Sequence, residues 1–140
     1  MLNRPTKETS PQDWFLFAED RLKSADSLWK NDGLTMTGIE TLQEAVERYL
    51  KGYLIARGWS LERTHDLETL VTEAESFDPQ FGQFHDFAIA LTADFFAQHY
   101  PGGDMTSVGV DYEESRKQTG NLVALIQQSL PHYFPHPPTK

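Results

Sequence analysis

Residues Ile39–Leu54, IETLQEAVERYLKGYL, contain the strongest helical pattern in the chain. Its apolar residues recur at steps of three and four, which places them on one stripe of an α-helix and leaves the charged residues on the other face. The members of that stripe are Ile39, Leu42, Val46, Tyr49, Leu50, Tyr53 and Leu54. Gly58 follows Arg57 and predicts a C-terminal stop, since glycine readily takes the left-handed conformation that ends many helices. This segment is therefore predicted to be an amphipathic helix with one buried face.

A second helix is predicted on the N-terminal side of this stretch. Ser10 suits the capping position and Pro11 suits the first helical position. Asn31-Asp32-Gly33 ends the helix, because glycine there can reverse the chain. The apolar residues of its inner face are Phe15, Ala18, Leu22, Ala25 and Trp29.

Three more helices are predicted on the C-terminal side. A short one runs from Thr64, its candidate cap, to about Glu75, and Asp78-Pro79 breaks the chain after it. The next carries an apolar face formed by Phe81, Phe84, Ala88, Leu91 and Phe95 and ends at 101–104. A polar loop is expected to run to about Asp111, and the last helix stops at Pro131. The inner side of that last helix is formed by Tyr112, Thr119, Leu122, Val123 and Ile126.

These segments predict an all-α domain, an antiparallel up-and-down bundle of four long helices plus one short helix. A chain of 140 residues fits one domain over 1–140. Its core is expected at about 11–130, and the proline-rich tail 131–140 is expected to be mobile.

Composition narrows the classes of function. The chain has no cysteine, which excludes a disulfide, a cysteine nucleophile and a thiolate metal site. Its 21 acidic and 12 basic residues give a net charge of −9, so general nucleic-acid affinity is not expected. No signal peptide and no apolar run of membrane-spanning length is evident, and we expect a cytoplasmic protein without membrane association.

Motifs for metal and cofactor chemistry are weak. Glu62-x-x-His65 occurs once, whereas di-iron bundles need this motif on two helices together with two further glutamates. Glycine-rich phosphate loops and the Gly-x-Ser-x-Gly nucleophile motif are absent from the sequence. We therefore predict no metal and no cofactor.

One local cluster of positive charge opposes the acidic composition. Between positions 48 and 65 only Glu62 opposes a set of basic residues, namely Arg48, Lys51, Arg57, Arg63 and His65. Cations near a helix C-terminus complement the helix dipole, which explains the cluster without a ligand. The alternative is an anion site completed by the free N–H groups at the start of the next helix.

Three separated motifs resemble HEPN domains. Residues 43–54 match the second helix of that family, Gln-x-Ala-x-Glu-Lys-x-Leu-Lys-Ala-x-Leu, with Arg48 in place of lysine and Gly52 in place of alanine. Residues 64–67 match its Thr-His-Asp-Leu, and Leu91-Thr92 followed by 99–101 is similar to its Leu-Thr and Arg-Tyr-Pro. His99 stands where arginine is usual. The resemblance covers about 13–130.

The resemblance implies a dimeric helical bundle with one of two functions. Some HEPN domains resemble metal-independent ribonucleases that use Arg-x(4–6)-His, and others bind nucleotides or partner small nucleotidyltransferases, as in toxin–antitoxin-like pairs. No arginine in this chain is followed by histidine after four to six residues; Arg57 and His65 have seven between them. The motif's absence favours a non-catalytic domain that forms a homodimer and binds a nucleotide, a nucleotide-like anion or a nucleotidyltransferase.

The predicted ligand site lies near the second and third helices. Phosphate is expected to meet Lys51, Arg57 and Arg63, while His65 and Asp66 orient a polar group. The remaining candidates are His99 and Tyr100, the latter as a base-stacking residue.

Two alternatives remain open. The first is a ribonuclease-like enzyme with a non-standard pair, for example His99 with Arg63. The second is a pure interaction module in which Trp14 and Trp59, if exposed, anchor a protein interface. Gly52 offers a structural hint, because glycine within a helix permits close approach of a neighbour.

Overall fold

The computed structural model describes residues 3–99 and 108–134, and this part of the chain is helical without a β-strand. The all-α prediction is confirmed. Five α-helices are present: α1 (Pro11–Asp32), α2 (Met36–Ala56), α3 (Leu67–Phe77), α4 (His85–His99) and α5 (Val108–Ser129). Short 3-10 helices lie at Pro79–Phe84 and Pro131–Tyr133.

Helix α2 is the centre of the fold, since it contacts each of the other four α-helices. All seven residues of its predicted apolar stripe are buried. The charged face opposite this stripe is partly buried as well, because Glu47 and Lys51 are both buried. A helix surrounded by neighbours has no fully solvated side, so polar residues on it must find partners inside the protein.

Gly52 allows α1 and α2 to pack closely. A β-carbon at this position would lie 2.6 Å from Cε1 of Phe15, well inside van der Waals contact. The absence of a side chain therefore gives the buried Phe15 ring its place against the α2 backbone. This confirms the close approach that the glycine suggested.

The caps of α1 follow the prediction. The Ser10 hydroxyl accepts a hydrogen bond from the Asp13 amide, and Gly33 ends the helix with a φ of 72°. At the end of α2, Gly58 has a φ of 93°, which explains why a glycine follows Arg57.

The start of α3 differs from the prediction. Asp66, not Thr64, is its cap, with a carboxylate oxygen accepting from the Glu68 amide. The Thr64 hydroxyl accepts from the Asp66 amide instead, which orders the last residues of the connection. Likewise, α5 begins at Val108 rather than after Asp111.

The first and last described segments of the chain pack against α1. The carboxylate of Asp13 accepts hydrogen bonds from the Arg4 guanidinium and from the Lys7 amide, which fixes the segment 3–10 against the helix. At the other end, the rings of Tyr133 and Phe134 lie 6.0 and 4.8 Å from that of Phe15. The start of the tail is therefore packed on the core, because its two aromatic rings bury apolar surface there; 135–140 lie outside the described residues.

The described helices include none that is both long and apolar enough to span a lipid bilayer.

Candidate functional site

A cavity of about 640 Å³ lies beside α2, at the point where the start of α3 and the middle of α4 meet it. Its described lining residues are Glu40, Gln43, Glu44, Glu47, His65, Asp66 and Thr92. Four of them come from one side of α2, where steps of three and four residues bring them into line. Two of the predicted site residues, His65 and Asp66, are therefore part of this cavity.

A chain of hydrogen bonds runs from the core to the cavity through Glu47. One carboxylate oxygen of Glu47 accepts from Nζ of Lys51 at 3.0 Å, and the other lies 3.0 Å from Nδ1 of His65. The Lys51 side chain is only 4% exposed, and its ammonium lies 5.7 Å from the centre of the Trp14 ring. Lys51 is thus a buried partner of Glu47 and not a surface cation that meets a ligand directly.

His65 is positioned but accessible. Its side chain is 81% exposed, although its Nδ1 is held by Glu47. When the ring is neutral, an Nδ1–H donating to the carboxylate leaves Nε2 as a hydrogen-bond acceptor facing outward. This is the arrangement in which a carboxylate fixes the orientation of an imidazole.

Two buried polar atoms at the cavity have no hydrogen-bond partner among the described residues. They are Oε1 of Gln43 and Oγ1 of Thr92. Gln43 is 8% exposed, so its amide is nearly withdrawn from solvent. Leaving such a group unpaired costs about 1–3 kcal/mol.

The cavity lining is acidic. Glu40, Glu44, Glu47 and Asp66 contribute carboxylates, and the described lining residues include no lysine or arginine. Asp66 is already engaged as the cap of α3 and as an acceptor for the Thr69 hydroxyl. A phosphate group would therefore be repelled from the interior of the cavity.

The cations of the predicted patch do not form one site. Arg63 is 78% exposed, and one guanidinium nitrogen lies 2.9 and 3.1 Å from the two carboxylate oxygens of Glu8. Arg57 is exposed, with its guanidinium carbon 5.6 Å from the centre of the Tyr53 ring. Both lie on the connection between α2 and α3, outside the described cavity lining.

Two candidates for the ligand site, His99 and Tyr100, lie at or beyond the edge of the described residues. His99 is the last residue of α4, but its side chain is not described, and Tyr100 lies outside the described residues. Trp14 and Trp59 are both partly buried, with the Trp14 indole N–H donating to the Glu8 carbonyl. Both tryptophans are therefore less exposed than the interaction-module alternative supposed.

Gln43, Glu47 and Thr92 were not predicted as site residues. Each lies in one of the quoted motifs, but their roles depend on burial and on neighbours distant in sequence.

Within 3–99 and 108–134, no group of three histidine, aspartate or glutamate side chains is placed to hold a metal ion.

A family model described as HEPN domain matches residues 11–129, from the start of α1 to the end of α5. Comparison with curated proteins and with solved structures finds no match. The family match includes every residue of the described cavity lining.

Proposed function

This chain belongs to the HEPN domain family, and we propose that it is a non-catalytic domain that binds a nucleotide. The nucleoside part would occupy the cavity beside α2. The observation that carries this proposal is the cavity of about 640 Å³, whose lining includes the uncharged polar residues Gln43 and Thr92.

The size of the cavity fits such a ligand. Small-molecule sites commonly measure about 300–1,000 Å³ and combine apolar walls with a few placed polar groups. At about 640 Å³, the cavity lies within this range. Carboxylates such as Glu40 and Glu44 are suitable acceptors for ribose hydroxyl groups, which carry no charge to be repelled.

The phosphate would lie outside the acidic interior, on Arg63. Only Thr64 separates Arg63 from His65 in sequence, so its guanidinium is within reach of the cavity entrance. The exposed ion pair of Arg63 with Glu8 contributes about 0–1 kcal/mol, so a phosphate could displace Glu8 at small cost. Arg57, on the same connection, would supply a second cation, whereas Lys51 would act by holding Glu47.

Calorimetric titration of AMP tests the proposal. Gln43→Leu keeps a similar side-chain volume and removes the amide, so it should weaken AMP binding by about tenfold, the equivalent of one lost hydrogen bond. The same substitution should raise the melting temperature of the free protein, because an unpaired buried polar group is removed. Gln128→Leu, at an exposed position on α5, is the matched control and should leave the affinity unchanged.

Two results would contradict the proposal. AMP binding equal in the wild type and Gln43→Leu would exclude the cavity as the nucleoside site. An absence of binding by any nucleotide would exclude the function itself.

The pair formed by Glu47 and His65 supports a second candidate, acid–base cleavage of RNA. Nε2 of a His65 ring oriented by Glu47 could take a proton from a 2′-hydroxyl, whose oxygen would attack the adjacent phosphorus and form a 2′,3′-cyclic phosphate. The bond from phosphorus to the 5′-oxygen would break, the 5′-oxygen would take a proton from water, and Arg63 could stabilise charge on the phosphate. His65 thereby takes the place of His99 in the Arg/His pair expected from the sequence. Incubation with a short single-stranded RNA should then give cleavage that His65→Ala abolishes; an uncleaved RNA would leave binding as the function.

The family resemblance also supports homodimer formation and a nucleotidyltransferase partner as parts of the proposal. Ile89 of α4 is 50% exposed and would be covered in an assembly. Light scattering over a range of concentrations should give twice the monomer mass of 16.0 kDa, and Ile89→Glu should shift it toward the monomer. A monomer at all concentrations would contradict self-association.

A further inference from the structure

We propose that a second cavity, beside the start of α1, binds a small aromatic carboxylate. This cavity has a volume of about 290 Å³ and shares no described lining residue with the cavity beside α2. Its walls come from three parts of the chain, namely the N-terminal segment 3–10, the first two turns of α1 and Arg48 of α2. The ligand and the place both differ from those of the nucleotide site, so neither site depends on the other.

The acidic residues of the second cavity are already paired with cations. Asp13 is 4% exposed, and its carboxylate accepts hydrogen bonds from the Arg4 guanidinium and the Lys7 amide. The carboxylate of Glu8 pairs with Arg63 at 2.9 Å. Because each negative charge has a cation beside it, these acids repel an anionic ligand only weakly.

Two basic residues of the lining can meet an anion. The Arg48 side chain is partly exposed, and among the described residues its guanidinium makes one hydrogen bond, from Nη1 to the Glu44 carbonyl. The Glu44 carboxylate lies 3.7 Å from the same Nη1 and also contacts Arg21, so Nε and Nη2 of Arg48 can still donate. Lys7 is exposed and contributes a second positive charge. A carboxylate matches the paired N–H groups of a guanidinium, which favours this anion.

Two aromatic side chains give the same cavity apolar walls. Phe17 is 41% exposed, so part of its ring has no protein neighbour. Trp14 is partly buried, and its orientation is fixed because the indole N–H donates to the Glu8 carbonyl at 2.8 Å. Aromatic rings pack favourably on one another by offset stacking or edge to face. A planar ring beside the carboxylate therefore suits this lining better than an aliphatic chain.

The size and the rigidity of the cavity also favour a small ligand. Small-molecule sites commonly measure about 300–1,000 Å³, and a cavity of about 290 Å³ lies at the lower limit, which suits a single ring with its carboxylate. The segment 3–10 is held by Asp13 before any ligand arrives, so binding orders few additional residues.

NMR titration of the isotopically labelled protein with benzoate, in the absence of nucleotide, tests the proposal. The indole N–H resonance of Trp14, assigned by its loss in Trp14→Phe, should shift and saturate. Benzamide has the shape of benzoate without the charge, and acetate has the charge without the ring. Each should bind about tenfold or more weakly than benzoate, the equivalent of one charged hydrogen bond or one buried ring.

Two variants test the location of the site. Arg48→Gln should weaken benzoate binding by about tenfold, and Lys7→Gln, at an exposed position outside the core, by a few-fold. Lys117→Gln removes the same charge at an exposed position on α5 and should leave the affinity unchanged. Thermal melts of the three variants control for folding.

Several results would overturn the proposal. They are the absence of a saturable Trp14 shift with benzoate, binding of benzamide or acetate as tight as that of benzoate, and an unchanged affinity in both Arg48→Gln and Lys7→Gln. None of them bears on AMP binding in the cavity beside α2, so failure here is distinct from failure of the proposed function.

Discussion

Replacing Glu47 by glutamine should lower the free energy of unfolding by about 2–4 kcal/mol, because Lys51 would retain its charge inside the protein without a carboxylate. The Lys51 side chain is 4% exposed and its Nζ lies 3.0 Å from Glu47. Breaking a buried ion pair by removing one partner costs about 3–5 kcal/mol. The glutamine oxygen still accepts one hydrogen bond, which recovers about 1 kcal/mol of that loss.

A double-mutant cycle isolates the interaction of this pair. Lys51→Met removes the buried charge at similar side-chain length, while Glu47 keeps His65 as a partner. The free energy of unfolding of this variant should therefore fall by only about 1 kcal/mol. The free energy of unfolding of the double variant should be close to that of Lys51→Met, since the double variant contains no unpaired buried cation. The coupling energy should therefore be about 2 kcal/mol or more.

Urea unfolding followed by circular dichroism measures the four free energies, with similar m-values expected for all four proteins. A free energy of unfolding of Glu47→Gln within about 0.5 kcal/mol of the wild-type value would contradict a buried ion pair between Glu47 and Lys51, since changes of that size are typical of exposed positions. Additive losses in the double variant would show that Glu47 and Lys51 do not stabilise each other.

Three further predictions concern packing, pH dependence and the N-terminal segment. Gly52→Ala should lower the melting temperature by several degrees, because a β-carbon at this position would lie 2.6 Å from Phe15. Relieving that contact costs about 1–3 kcal/mol, which outweighs a gain in helix propensity of about 1 kcal/mol. A higher melting temperature of the variant would contradict the close contact. Burial raises the pKa of Tyr112 to about 12, so the stability that its proton provides is present below about pH 10 and is lost as the pH rises toward 12. Urea midpoints at pH 9 and 11 should differ less in Tyr112→Phe than in the wild type, and equal differences would exclude Tyr112 as a source of alkaline sensitivity. Glu8→Gln should tighten AMP binding a few-fold by releasing Arg63; calorimetry giving an unchanged affinity would contradict the proposed phosphate position.

The fold was largely predictable because local signals determine most helix boundaries. The Ser10 cap and the positive φ of Gly33 set the ends of α1 as predicted. The apolar stripe of α2 was predictable for the same reason, since its period requires only the chain itself. At the start of α3 both Thr64 and Asp66 suit a cap, and local sequence does not decide between them.

The site was only partly predictable because its contacts join distant parts of the chain. His65 and Asp66 were predicted and lie at the cavity. Arg63 was expected to be available for phosphate, but its partner Glu8 is 55 residues away. Helical periodicity places Lys51 on a charged face, and only the packing of Trp14 against it reveals that it is buried.

Heteronuclear NMR of the isotopically labelled protein titrated with AMP is the most direct test of the cavity as the nucleotide site. We expect the largest chemical-shift changes at the Gln43 side-chain amide and at the backbone amides of His65 and Thr92, with smaller changes at Arg63. Changes confined to other surfaces, or no change at saturating AMP, would contradict it.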